Sequence, residues 1–242
     1  MNKITSTITF DSTASRPKNG LALIYDLEGF SQFFNQPDVQ DYIPKFYNEV
    51  SHAISVCIFG GDAYWVPDLK ERKFQALVGM TPIHEKFLGD GSMYLWTVNK
   101  DEPLTITFIQ ALCNRLWNLK TLFHEVIKKA SDKVPVMDVP QRIRFGLARG
   151  TIYELRRRNS AQREYIGFCI NLASRLQKYC PELGFIASAR IGLPEKNLGE
   201  AGYIRVVANQ IKGFSKEIVI VDGGEFENLS SEIKSIYFSS AK

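Results

Sequence analysis

The chain has 242 residues, 45% of them hydrophobic and 23% charged, which is enough apolar material for one full core with additions and excludes a disordered chain. Its net charge of +4 suits a small polyanionic ligand and is too slight for a nucleic-acid-binding protein. Cys57, Cys113, Cys169 and Cys180 form no CxxC pair and the three histidines no ligand spacing, so reduced thiols in a cytoplasmic protein are expected and a zinc site is not.

Residues 1–20 read as a polar arm with one short strand at 4–10, and lack the apolar region of a signal peptide. No apolar run reaches about 18 residues, so no membrane span is expected. "LALIYD" (Leu21–Asp26) is an apolar run that ends in a carboxylate, a buried strand with Asp26 at its C-terminal end. Gly29 permits a tight turn. Asp38 is placed to N-cap a helix in which Val39, Ile43, Phe46, Tyr47, Val50, Ile54 and Ile58 recur at helical spacing. Residues 60–82 are irregular.

"IHEKFLG" and "SMYLWTV" flank Asp90-Gly91, and two strand-like runs around Asp-Gly predict a hairpin. One long helix is expected from Leu104 to about Ala130. "QRIRFGLARGTIYELRR" reads as a strand pair turning near Arg149-Gly150. "EYIGFCINLASRLQKYC" opens extended and becomes helical by Ile170. "GFIASARI" and "KEIVIVDG" are late strands, and residues 226–242 read as a polar tail. Two helices interleaved with a mostly antiparallel sheet predict an α+β, ferredoxin-like catalytic core over residues 21–225.

Asp26 and Asp90 carry the chemistry. If their strands are neighbours, both carboxylates enter one small volume, which is unfavourable unless a cation neutralises them. Mg²⁺ and similar hard ions take one or two carboxylates plus substrate phosphates, and the Leu27 carbonyl could add a ligand. The hypothesis is a two-metal site for displacement at phosphorus. Each Asp taken singly is better read as an ordinary strand-end or turn residue.

Resemblance decides between these readings. "IYDLEGFSQFF", including Phe30 after Gly29, resembles the first-strand motif of class III nucleotidyl cyclases. "KFLGDG", "RIRFGLARG", "EYIGFCINLASRL" and "IKGFSKEIVIV" resemble that family's later blocks, in the family's order. The resemblance implies the class III cyclase catalytic domain: a central sheet flanked by helices, acting on a nucleoside triphosphate as a head-to-tail homodimer with composite active sites. It assigns two divalent ions, Mn²⁺ or Mg²⁺, to Asp26, the Leu27 carbonyl and Asp90. Lys86 and Glu164 match base-contacting positions and Phe30 a substrate-binding one; Asn171 matches the residue that orients the ribose, and Arg175 the one that stabilises transition-state charge.

Three departures bear on the nucleotide. Glu164 stands where an Asp is usual, Phe168 and Cys169 stand where a small polar pair is usual, and an insertion at residues 60–82 separates Asp26 from Asp90. A longer acidic side chain intrudes further into a base pocket, and a smaller base, a pyrimidine, leaves room for it. As a stand-alone domain the chain resembles the bacterial Pycsar antiphage cyclases, which implies synthesis of cyclic UMP or cyclic CMP on phage infection, cyclic UMP being favoured by its frequency in that family, and a separate effector that responds to the product. Cyclic CMP, and then cyclic AMP, are the alternatives, since a Glu and a Lys can serve any of these bases. "GGDAY" (Gly60–Tyr64) is a poor match to a diguanylate cyclase loop. "RRRNSAQR" (Arg156–Arg163) reads as a solvated hairpin end.

Overall fold

The computed structural model describes residues 9–13, 15–37, 39–60, 80–98, 104–132, 134, 137–158 and 161–239. Its elements run, in chain order, β1 (Lys18–Glu28), α1 (Phe30–Phe34), α2 (Ile43–Gly60), β2 (His84–Phe87), β3 (Gly91–Thr97), α3 (Ile106–Thr121), α4 (Phe123–Ser131), β4 (Arg142–Arg156), β5 (Arg163–Gly167), α5 (Phe168–Gln177), β6 (Phe185–Ser188), α6 (Glu195–Glu200), β7 (Tyr203–Ile211), β8 (Ser215–Asp222), α7 (Gly223–Asn228), α8 (Ser231–Tyr237) and β9 (Phe238–Ser239). The strands form one sheet in the order β2-β3-β1-β4-β6-β8-β7-β9, with β5 paired to β4. Among the described ladders only β4–β6 is parallel. The expected α+β architecture, a mostly antiparallel sheet flanked by helices, is what forms.

β1 lies between β3 and β4 and is buried from Leu21 to Leu27, so its sequence is a continuous apolar run rather than an alternating one. Alternation still sorts its side chains. Leu21, Leu23, Tyr25 and Leu27 enter one core with α2, α3 and α4. Ala22 and Ile24 enter the other with α5, and Asp26 follows on that face.

The expected helix at 39–58 forms from Ile43, with Pro44 in its first turn, where a missing N–H costs nothing. The proposed Asp38 cap, the 61–79 part of the insertion, most of "GGDAY" and most of the expected 4–10 strand lie outside the described residues. Phe10, at the end of that strand, bridges to Arg157.

The sequence reading is corrected in three places. The helix expected over 104–130 breaks at Leu122, where the Thr121 hydroxyl donates to the Trp117 carbonyl and competes with the helical ladder. "RIRFGLARGTIYELR" is one 15-residue strand with no turn at Arg149-Gly150. Gly150 instead admits α5: a Cβ there would sit 2.6 Å from the Phe168 ring, and at Gly146 one would sit 2.1 Å from the Ala173 carbonyl oxygen. The segment from 226, read as a polar tail, completes α7 and forms α8 and β9, and buries Leu229 and Phe238 in the α5-side core.

Candidate active site

The end of β1 and the tip of the β2–β3 hairpin meet. Asp26 lies opposite Gly91 on β3, and Leu27 N–H donates to the Asp90 carbonyl at 2.9 Å. Gly91 must be glycine, because a Cβ there would lie 1.9 Å from the Tyr25 carbonyl oxygen. The turn is centred on Gly89-Asp90, one residue earlier than the Asp-Gly pair suggests. Leu88 N–H bonds the Gly91 carbonyl, and Gly89 has φ +100°, so glycine occupies the first central position as in a type II′ turn. Asp26 and Asp90 therefore share one end of the sheet.

Asp26 is only 6% exposed. It faces Arg144 across the β1–β4 ladder, and the guanidinium grips both carboxylate oxygens, Nε to Oδ1 at 3.2 Å and Nη2 to Oδ2 at 3.1 Å. Sequence reading passed over Arg144. The signal lay in "RIRFGLARG", but only the register reveals which arginine faces the carboxylate.

A second group forms where β5 meets β2. Lys86 Nζ lies 3.0 Å from Glu164 Oε2, and Arg157 Nη2 lies 2.6 Å from Glu164 Oε1. The Lys86 ammonium, and after it the Arg157 guanidinium, hold the Glu164 carboxyl below the usual carboxylate range. The His84 and Tyr165 rings pack beside them with centroids 5.1 Å apart. Burial pushes His84 down despite nearby Glu164, so it is uncharged near neutrality. The two expected base-reading residues are thus partners in space, and Arg157, read as part of a solvated run, belongs with them.

Asn171 and Arg175 lie one turn apart on the exposed side of α5, while Leu172, Ala173 and Leu176 face the sheet. Among the described residues neither side chain makes a hydrogen bond or ion pair. Phe30 packs against Phe33, Phe34 and Tyr47 and, with Phe87 and Gly89, lines a cavity of about 540 Å³ beside the hairpin tip. Burial pushes the thiols of Cys113, Cys169 and Cys180 up to about 12, which leaves them unreactive.

At the Asp26 end the donors are two carboxylates and main-chain carbonyls, the hard oxygen set that Mg²⁺ and Mn²⁺ take. Among the described residues no three His, Cys, Asp or Glu gather anywhere, so further coordination would fall to phosphate and water. Arg144 leaves each Asp26 oxygen a lone pair. These residues fit a divalent ion.

No protein-family model matches the chain, and no curated protein matches it. Among solved structures it is similar to the adenylyl cyclase CyaB from P. aeruginosa, with a TM-score of 0.57 and 14% identity over 95% of this chain and 98% of that one. It is similar to the guanylyl cyclase Cya2, with a TM-score of 0.53 and 16% identity over 87% and 93%. A bacterial light-regulated adenylyl cyclase follows, with a TM-score of 0.54 and 16% identity over 93% and 57%. Among the described residues no helix is long and apolar enough to cross a membrane. The chain has the fold of these adenylyl and guanylyl cyclases, at 14–16% sequence identity to them.

Proposed function

We propose that this protein is a nucleotide cyclase that converts UTP to 3′,5′-cyclic UMP and pyrophosphate, with CTP and then ATP as the alternative substrates. The observation that carries the reading is the convergence of Asp26 and Asp90 at one end of the sheet, in a fold that solved adenylyl and guanylyl cyclases share. Asp26, Asp90 and the Leu27 carbonyl would hold two divalent ions, Mg²⁺ or Mn²⁺. Bound there, the ions would supply Lewis-acid stabilisation to the attacking hydroxyl and the triphosphate.

The protein's own groups do the rest. Arg144 is a fixed cation beside the buried Asp26 and keeps that carboxylate from repelling Asp90. Lys86 and Glu164 present a donor and an acceptor to a base edge. Asn171 orients the ribose so that its 3′-hydroxyl lies in line with the α-phosphorus. Arg175 meets the negative charge that grows on the phosphoryl oxygens and on departing pyrophosphate. In this reading Asn171 and Arg175 serve the carboxylates of a partner subunit, which makes the working unit a homodimer. The Pycsar resemblance adds a cytoplasmic role in antiphage defence, with the product as a second messenger to a separate effector. Incubating the purified chain with each of the four nucleoside triphosphates and Mn²⁺, and identifying products by mass, tests the proposal. Cyclic UMP as the dominant product supports it. A product from ATP alone removes the pyrimidine assignment, and no product from any of the four removes the enzymatic one.

A further inference from the structure

In the sequence Arg157 is one of three consecutive arginines, but in the fold it differs from Arg156. Arg156 is 71% exposed and reaches back to Glu154 on its own strand at 3.3 Å. Arg157 is 29% exposed and makes the shorter contact, 2.6 Å, to a Glu164 that is itself 12% exposed. That is the length of a charge-assisted hydrogen bond. The other Glu164 oxygen is taken by Lys86, whose side chain is 49% exposed on a flexible stem. A carboxylate held by Lys86 alone would turn about its broad terminal torsion and follow the lysine. Arg157 removes that freedom.

We propose that Arg157 is a positioning residue for nucleobase selection: it locks Glu164 so that Glu164 and Lys86 offer an acceptor and a donor at a fixed separation to the edge of the base. The proposal rests on the cyclase reading of the same site. Each Glu164 oxygen spends one lone pair on a cation and keeps another for a base N–H, while Lys86 keeps two of its three N–H groups for a base carbonyl or ring nitrogen. A rigid acceptor–donor pair penalises a base that presents its groups in the wrong order, because polar groups at the site then go unpaired. A mobile pair adapts to either order and discriminates less.

The test uses the full chain with Mn²⁺ and all four nucleoside triphosphates, comparing wild type, Arg157→Ala, Arg157→Lys and Glu164→Gln. Arg157→Ala is expected to raise KM for the preferred nucleotide and to narrow its margin over the next best, each by about tenfold, with kcat nearly unchanged. Arg157→Lys is expected to restore part of both. The charged and titratable groups facing Glu164 are Lys86 and His84 from β2 and Arg157 from its own hairpin. His84 and the other titratable groups of the site are common to wild type and variant, so a displacement of the kcat/KM acid limb to higher pH in Arg157→Ala is the expected signature of Glu164 losing its guanidinium. A variant that loses kcat while KM ratios and the acid limb stay put overturns the role of Arg157 and leaves the cyclase reading intact. If wild type turns over none of the four, the cyclase reading fails. The same ratios measured as binding affinities by calorimetry then decide Arg157: unchanged ratios, or no nucleotide binding, overturn it.

Discussion

Two carboxylates of the candidate site, Asp26 and Glu164, are each gripped by a guanidinium, and they are held in different ways. Asp26 and Arg144 face each other across a strand ladder, so the main chain sets their separation, and their side chains are 9% and 17% exposed. Glu164 is reached by Arg157 from its own hairpin and by Lys86 from β2, a strand with which β5 shares no described ladder. The first pair is rigid because moving it means sliding a central strand. The second is set by long side chains at a wetter edge, so it can be tuned residue by residue. Under the proposed function, metal and triphosphate chemistry falls to the rigid placement and base selection to the adjustable one.

The largest effect should come from breaking the rigid end. Asp26→Asn keeps the shape and removes a charge that would bind cations; turnover with Mn²⁺ should fall about 10³-fold while far-UV circular dichroism is unchanged. Mixing Asp26→Asn subunits with Arg175→Ala subunits should recover activity from one intact site per heterodimer; a mixture that stays inactive removes the shared-site assignment. Next comes Arg144→Met, which strands a buried Asp26 without its cation. Urea unfolding should show a loss of about 3 kcal/mol, and Mn²⁺ should return part of it. Arg157→Met should be the smallest, below about 1 kcal/mol, because its ion pair is partly exposed. If Arg157→Met destabilises more than Arg144→Met, the contrast between the two ends is wrong. The pH dependence has a definite sign. With its carboxyl held below the usual value, the stability that Glu164 contributes is full above that value and fades as pH falls through the depressed one. In Arg157→Met the loss should be smaller and should be complete at a higher pH, because the carboxyl is then held less far below its unfolded value.

Much of this site was legible locally. A buried apolar run ending at Asp26, a hairpin signal at Asp90-Gly91, and Asn171 and Arg175 four apart on an amphipathic helix are statements about neighbours in sequence; the structure contains the run and the helix pair, and a hairpin whose turn lies one residue earlier. Two of the errors share a cause. Gly150 looked like a turn because glycine has that use more often than its other one, admitting a helix within touching distance. The segment after 226 looked like a tail because its apolar residues, Phe226, Leu229, Ile233 and Phe238, are sparse, and they become a coherent face only once the sheet is there to receive them.

What the chain determined by itself was its periodicity and most of its punctuation: the apolar strand that carries Asp26, the presence of a hairpin beside Asp90, the amphipathic helix with Asn171 and Arg175, and which residue types stand there. Those follow from backbone sterics and from side-chain spacing over a few residues. That Arg144 rather than Arg142 meets Asp26, that Glu164 lies against Lys86, and that Arg157 closes the pair were decided by the tertiary structure alone, because register and strand order are set by packing the whole sheet between its two helical layers.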